Sequence, residues 1–273
     1  MGAADFLLER VAEDLEDRLR SILRPFERVL DLGTAGTQLT QVLAQRNPQL
    51  LVHGAPIAQA VSAGPWLSLV ADEEALPFAP ESFDLITSAL SLQHVNDLPG
   101  ALVQIRRSLR PDGLFLACFM GGQSLTELRS ALAEAEEEIL GGVSPRVSPF
   151  VDLRDLGSLL QRAGFALPVT DVDTITVRYD HLFALAHDLR AMGATNALVL
   201  RDKRKINKTI FLRAAEIYAQ NFSDADGRVR ATFDLVWLSG WAPHESQQKP
   251  LQPGSAKMRL ADALNAKEGK LQG

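Results

Sequence analysis

The stretch from Arg28 to Thr37 constrains the fold more than any other part of this chain. A short apolar run ending at Leu32 is followed by a turn of small residues and then by a helix that carries Leu39. In such a joint the helix directs its first N–H groups toward the carboxyl edge of a parallel sheet. Asp31 closes the strand, where a carboxylate can receive a cationic or hydroxylated group. The stretch therefore predicts a nucleotide-like ligand at this edge.

Further apolar segments follow at the spacing of an α/β domain. Four of them are predicted strands, at 50–52, 66–71, 83–88 and 114–119. A helix is predicted from 99 to 109, with Asp97 as its cap, and a turn from 110 to 113. Ile175–Tyr179 and Ala231–Leu238 are predicted to pair as an antiparallel edge. The pattern predicts a doubly wound, mostly parallel, seven-stranded sheet that binds ligands outside the carboxyl ends of its strands.

The same pattern divides the chain into three parts. Residues 1–27 form an amphipathic helix, predicted as a brace on the sheet, a lid over the ligand, or both. Residues 28–240 form the main domain, with a helical insertion at about 180–220. Residues 241–273 are a polar, proline-containing tail, expected to dock in part against the domain. The acidic run 136–138 is expected to form a solvated face.

Charge and amino-acid composition argue against several classes of function. The net charge of −6, from 28 basic and 34 acidic residues, does not favour a nucleic-acid partner. The single cysteine, Cys118, excludes an intrachain disulfide, and the five histidines show no metal-ligand spacing. No apolar run approaches the roughly 18 residues of a membrane span, and no targeting pattern begins the chain, so we expect a cytoplasmic protein. The basic run 201–208 is a solvated face, or a docking surface for an acidic partner or an anionic membrane.

The turn after the first strand resembles motif I of class I S-adenosylmethionine-dependent methyltransferases, with Asp31 and Gly33 in place and Ala35 and Thr37 at the two later glycine positions. Other segments resemble the methyltransferase type 11 family and, within it, the family of the respiratory complex I assembly factor described as a protein arginine hydroxylase. The segments that carry this resemblance are 71–78, 82–85, 90–99, 121–122, 144–150, 241–247 and 253–256.

The resemblance implies a Rossmann-like class I methyltransferase fold, S-adenosylmethionine as cofactor, and a protein substrate that is a complex I subunit modified on an arginine. It also implies site residues. The turn would hold the amino acid end of the cofactor, through Asp31, Gly33, Thr34 and Gly36. The adenine would be bound by Asp72, with Glu73 beside it, and Ser88 would line the side of the fourth strand. The candidate catalytic residues are His94, His244 and Glu245.

One expected group is missing. A class I site places a carboxylate for the ribose hydroxyls near Pro56, yet no Asp or Glu occurs between Asp31 and Asp72. Losing a hydrogen bond to a charged acceptor costs roughly 1.5–3 kcal/mol. Three functions therefore stay open: an enzyme acting on a protein side chain, a catalytically silent assembly chaperone or scaffold, and a methyltransferase for a small carboxylate or quinone precursor.

Overall fold

A computed structural model describes residues 5–61, 63–148, 150, 153–196 and 207–248 of this chain. Its strands are β1 (Arg28–Leu32), β2 (Leu50–Ala55), β3 (Leu67–Val70), β4 (Phe83–Ala89), β5 (Leu109–Met120), β6 (Ala166–Tyr179) and β7 (Val229–Trp241). Its helices are α1 (Phe6–Arg20), α2 (Gln38–Ala44), α3 (Leu98–Ser108), α4 (Thr126–Leu140), α5 (Leu153–Arg162), α6 (Leu182–Ala191) and α7 (Lys208–Phe222).

The strands form one seven-stranded sheet in the order β3-β2-β1-β4-β5-β7-β6. The first five strands are parallel, and β7 runs antiparallel to both β5 and β6. Chain order reverses between β1 and β4, the position where open α/β sheets bind ligands. The predicted doubly wound fold and its antiparallel edge are thus confirmed.

Both faces of the sheet are covered, which explains why neighbouring residues such as Val29 and Leu30 are both buried. One hydrophobic core includes α1, α2, α4, α6 and α7, together with Val29, Leu85 and Leu116 of the strands. The other core lies under α3 and α5 and contains Leu30 and Phe115. The layers are therefore helix, sheet and helix.

The first helix packs along the antiparallel edge. Its apolar stripe, Leu7, Val11, Leu15 and Leu19, is buried as the four-residue spacing predicts. Its arginines reach the outer strand, where Arg10 Nη2 lies 2.8 Å from Asp173 Oδ2 and Arg18 makes two hydrogen bonds to Asp171. The Arg18 guanidinium also lies 4.5 Å from the centre of the Trp237 ring. This helix therefore braces β6 and β7. That it also acts as a lid over the ligand stays a prediction.

One local prediction is wrong, and one predicted strand is present but exposed. The predicted turn from Arg110 to Gly113 lies within β5. Phe83 of β4 pairs with Leu109 and Leu85 pairs with Leu114, so the register of the two strands shifts across this segment. The third strand, predicted at 66–71, is present as β3. It is largely exposed, with Leu67 and Val70 in contact with solvent, because it lies at the edge of the sheet. The helix cap is as predicted, since Asp97 Oδ1 accepts a hydrogen bond from Gly100 N at 2.9 Å.

Candidate cofactor crevice and cavity

The carboxyl ends of β1 and β4 are tied together by one side chain. Thr34 Oγ1 donates to Asp31 Oδ1 at 2.5 Å and accepts from Ala89 N at 3.0 Å. His53 of β2 lies on the other side, with Nε2 at 3.0 Å from the Thr34 carbonyl oxygen. These contacts fix the turn after β1 at the point where chain order reverses. We call this place the crevice, defined by Asp31, Gly33, Thr34, Glu73, Ser88 and Ser91.

Two buried oxygens in the crevice have no hydrogen-bond partner among the described residues: Asp31 Oδ2 and Ser88 Oγ. Burial raises the pKa of Asp31 to about 6, although the Thr34 hydrogen bond and the nearby His53 oppose that shift. A buried polar atom without a partner is unfavourable. Both positions could be satisfied by polar groups of a ligand, which fits the predicted role of Asp31 and Ser88.

The turn itself depends on two glycines in the left-handed region, Gly33 with φ 75° and Gly36 with φ 82°. A Cβ on Gly33 would lie 2.3 Å from both Glu73 Oε1 and Ser91 Oγ. Only glycine permits that approach without a shift of its neighbours. Ser91 Oγ in turn donates to Glu73 Oε1 at 2.5 Å. The Glu73 carboxyl therefore lies over the turn, inside the crevice.

Asp72, the predicted adenine acceptor, is not buried as Asp31 and Ser88 are. Asp72 is exposed, and its Oδ1 accepts a hydrogen bond from Glu74 N at 2.8 Å. It therefore stabilises the turn after β3. The second strand ends at Ala55, so Pro56 is the first residue beyond it and takes the position where the fold expects the acid for the ribose.

Beside the crevice is a cavity of about 440 Å³. It begins at the turn after β1, includes Leu90, Gln93 and His94 after β4, and continues to the first turn of α1 and the end of α6. We call this space the cavity. Its lining residues are Asp5, Leu7, Leu8, Ala35, Gly36, Thr37, Gln38, Ala89, Leu90, Gln93, His94, Met120, Leu125, Leu128, Arg146, Val147, Ser148, Phe150, Leu189, Ala191, Met192, Gly193, Ala194, Thr195, Asn196 and Phe233. The structure thus brings the exposed His94 to the cavity but places Asp31 and Ser88 in the crevice beside it.

Two leucines of the cavity wall have backbone angles that are uncommon for residues with a side chain. Leu90 has φ 52° and Leu125 has φ 55°. Each is held by a backbone hydrogen bond, from Leu90 N to Cys118 O and from Leu125 N to Thr232 O. Left-handed non-glycine residues often occur at functional sites. No signal in the sequence identifies these two residues.

A buried ion pair holds another wall of the cavity. Arg146 Nε lies 2.6 Å from Glu136 Oε1, and the two side chains are 13% and 0% exposed. Glu136 Oε2 also accepts from Ser144 N at 2.8 Å. The prediction that 136–138 is a solvated acidic face is therefore wrong for Glu136, which fixes the proline-containing loop that carries Val147 and Ser148.

The remaining candidate residues belong to another unit of the chain. His244 and Glu245 belong to a second unit, residues 244–273, of which the structure describes 244–248. Both are exposed, and they begin a turn in which His244 Nδ1 lies 2.7 Å from Ser246 Oγ. Most of the basic run 201–208 and most of the tail lie outside the described residues.

Two further findings concern metals and membranes. Within the described part of the chain, no three His, Cys, Asp or Glu side chains are grouped so that they could hold a metal ion. No helix in that part is long and apolar enough to cross a membrane.

The strand order, the turn after β1 and the crevice at the β1–β4 reversal define the chain as a class I methyltransferase-type protein. The Methyltransferase domain family matches residues 30–117. A Bacillus halodurans protein described as a methyltransferase has a TM-score of 0.59 at 16% identity, covering 85% of this chain and 100% of its own. Phosphoethanolamine N-methyltransferase 2 of Haemonchus contortus, solved with S-adenosylmethionine, has a TM-score of 0.51 at 15% identity, covering 86% of this chain and 53% of its own. Both likenesses show the fold.

Proteins of similar sequence identify the family within this class. The mitochondrial arginine-hydroxylase NDUFAF5 of Danio rerio is 38% identical, covering 98% of this chain and 84% of its own length. The Homo sapiens protein of the same name is 40% identical, covering 94% and 76%. Malonyl-[acyl-carrier protein] O-methyltransferase of Halorhodospira halophila is 33% identical, covering 92% and 86%. The chain belongs to the arginine-hydroxylase NDUFAF5 family, as the sequence resemblance predicted.

One prediction is contradicted by these relatives. We expected a cytoplasmic protein, but the similar arginine-hydroxylases are named as mitochondrial. That expectation rested on the absence of a recognisable targeting pattern, and the names of these relatives overturn it.

Proposed function

We propose that this protein binds S-adenosylmethionine in the crevice and acts on an arginine side chain of a partner protein, a respiratory complex I subunit. The observation that carries the proposal is the pair of buried oxygens, Asp31 Oδ2 and Ser88 Oγ, that lack partners among the described residues at the ends of β1 and β4. They lie where doubly wound folds bind nucleotides. An arginine is proposed as the modified residue because the NDUFAF5 relatives are named arginine-hydroxylases.

Each crevice residue then has a role. Asp31 accepts from the cofactor's amino group, Gly33, Thr34 and Gly36 shape the backbone around it, and Ser88 lines the β4 side. Asp72 and Glu73 lie at the nucleoside end. When bound, S-adenosylmethionine supplies a sulfonium-activated methyl group and a nucleoside that occupies the crevice. Burial disfavours the ionised form of Asp31, and a cationic amino group of the ligand beside it would favour that form.

The cavity is the proposed place for the side chain that is modified. Its volume of about 440 Å³ falls within the range of roughly 300–1,000 Å³ found for ligand pockets. His94 is exposed on its wall and can donate or accept a proton there. Catalytic roles for His244 and Glu245 stay proposals that rest on the sequence resemblance.

The first experiment measures cofactor binding by titration calorimetry with S-adenosylhomocysteine. We expect binding to the natural protein and weaker binding to Ser88→Ala, by about two- to tenfold, the value of one neutral hydrogen bond. Ser108→Ala is the matched control, because Ser108 is also buried but lies at the end of α3. No heat at millimolar ligand would sink the proposal and favour the catalytically silent scaffold.

The second experiment identifies the reaction. The protein, S-adenosylmethionine and an arginine-containing peptide of a complex I subunit are incubated with and without a mitochondrial extract as the source of oxidant. Mass spectrometry then distinguishes the addition of an oxygen atom from the addition of a methylene. Oxygen on the arginine supports hydroxylation, a methylene supports methyl transfer, and an unchanged peptide in both mixtures argues against action on arginine.

A second candidate is O-methyl transfer to a carboxylate on a carrier. It is favoured by the similarity to malonyl-[acyl-carrier protein] O-methyltransferase, which extends over 92% of this chain. Methyl transfer to malonyl-carrier protein, with no change to the arginine peptide, would select this candidate.

A further inference from the structure

The crevice lacks its usual sugar acceptor, and the structure brings another carboxylate to the same place. Gly33 N donates to the Gly54 carbonyl at 2.6 Å, so the turn after β1 lies directly beside the end of β2. A carboxylate just beyond Ala55 would face a nucleoside there, but the residue at that position is Pro56.

The segment after β3 reaches the same point. Ala71 N donates to the Ala55 carbonyl at 2.9 Å, which places the start of this segment beside the last residue of β2. Two residues later, the Glu73 side chain passes over Gly33 and meets Ser91 beyond β4. Glu73 thus spans the crevice from the β3 side to the β4 side.

The surroundings of this carboxyl are unusual for a structural group. Glu73 is only 5% exposed, and Ser91 Oγ is the one hydrogen-bond partner of its side chain in the described part of the chain. A carboxylate can accept about four hydrogen bonds, and a buried one is costly when few are made. Glu73 therefore has acceptor capacity for further donors at the place where a nucleoside would lie.

We propose that Glu73 accepts hydrogen bonds from the ribose hydroxyls of the cofactor, in place of the missing acid after β2, and that Ser91 positions it. This inference rests on the proposed cofactor binding. The vicinal hydroxyls provide two donors to one carboxylate. Asp72, which stabilises its own turn, is left for the adenine.

The test compares two ligands by calorimetry: S-adenosylhomocysteine and its 2′-deoxy analogue. Glu73→Gln should weaken binding of S-adenosylhomocysteine by about ten- to hundredfold, because it removes a charged acceptor. The same variant should change binding of the 2′-deoxy analogue much less. Glu74→Gln is the matched control: Glu74 lies in the same turn, but its carboxylate accepts from Asp97 N and Asn96, outside the crevice.

Two further variants make the test independent of one substitution. Ser91→Ala should weaken binding of the ribose-containing ligand severalfold, with a smaller effect on the deoxy ligand. Pro56→Asp, placed in the Glu73→Gln protein, should restore much of the lost affinity, because it returns an acid to the end of β2. Thermal melting of each variant without ligand verifies that it folds.

The outcomes separate this inference from the proposed function. If the natural protein does not bind S-adenosylhomocysteine, the proposed function and the inference fail together. If it binds, and Glu73→Gln binds equally well, more tightly, or with the same loss for both ligands, the inference alone is overturned. Tighter binding would mean that Glu73 obstructs the crevice.

Discussion

Replacing Glu136 by alanine tests the ion pair that holds one wall of the cavity. Glu136 is fully buried and Arg146 nearly so, and Glu136 also accepts from the backbone of Ser144. Removing one member of a buried ion pair typically costs about 3–5 kcal/mol. For a protein of this size, each kcal/mol lowers the melting temperature by roughly 2–4 °C. We therefore expect Glu136→Ala to melt about 6–20 °C lower than the natural protein.

The next residue provides the control. Glu137 has the same side chain in the same helix but is exposed, so Glu137→Ala should change the free energy of unfolding by less than about 0.5 kcal/mol. Urea unfolding followed by circular dichroism gives both values, and hydrogen exchange should become faster at residues 144–148 in Glu136→Ala only. A loss below about 1 kcal/mol for Glu136→Ala, or equal losses for the two variants, would refute the assignment of this pair as the support of the loop.

Burial raises the pKa of Asp31 from 3.8 to about 6, so the folded protein binds this proton more tightly than the unfolded chain does. This tighter proton binding stabilises the folded protein by about 3 kcal/mol. The stabilisation is fully present below about pH 4 and is lost as the pH rises through 6. Asp31→Asn cannot ionise, and urea unfolding should show it gaining about 3 kcal/mol on the natural protein between pH 4 and pH 8. In the tail, hydrogen exchange should be slow across residues 241–256, and rapid exchange there would remove the docked tail and the proposal for His244 and Glu245.

The parts of the fold that were predicted depend on local patterns. The turn after β1 was found because glycines lie where the chain needs a left-handed backbone, and Gly33 and Gly36 both adopt it. The cap at Asp97 was found because side chain, proline and helix start are adjacent in sequence. Strand identity followed from apolar runs, since strands covered on both faces contain few polar residues.

The errors arise where distant residues decide the outcome. A charge pattern marks Glu136 as solvated, but its partner Arg146 is ten residues away in a loop, and only folding brings the pair together. In β5, Pro111, Asp112 and Gly113 have the composition of a turn. Asp112 N donates to Ala242 O, and Ala242 N donates to Gly113 O. These hydrogen bonds to the residue after β7 hold the segment in the strand. The predicted turn therefore belongs to a strand.

The crevice and the cavity differ in the same way, because one is built from residues close in sequence and the other also needs distant segments. The crevice is built within one continuous stretch of the chain, from β1 to the segment after β4. This stretch lies almost entirely within residues 30–117, which the Methyltransferase domain family matches. The cavity takes Leu125 and Leu128 from the start of α4, Val147 from the loop that Glu136 holds, and Met192 after α6. Since these segments follow the matched region, relatives can share the crevice and differ in what the cavity accepts. Exchanging the 144–148 loop or the end of α6 between relatives should change the acceptor, while exchanging the turn after β1 should change affinity for the cofactor.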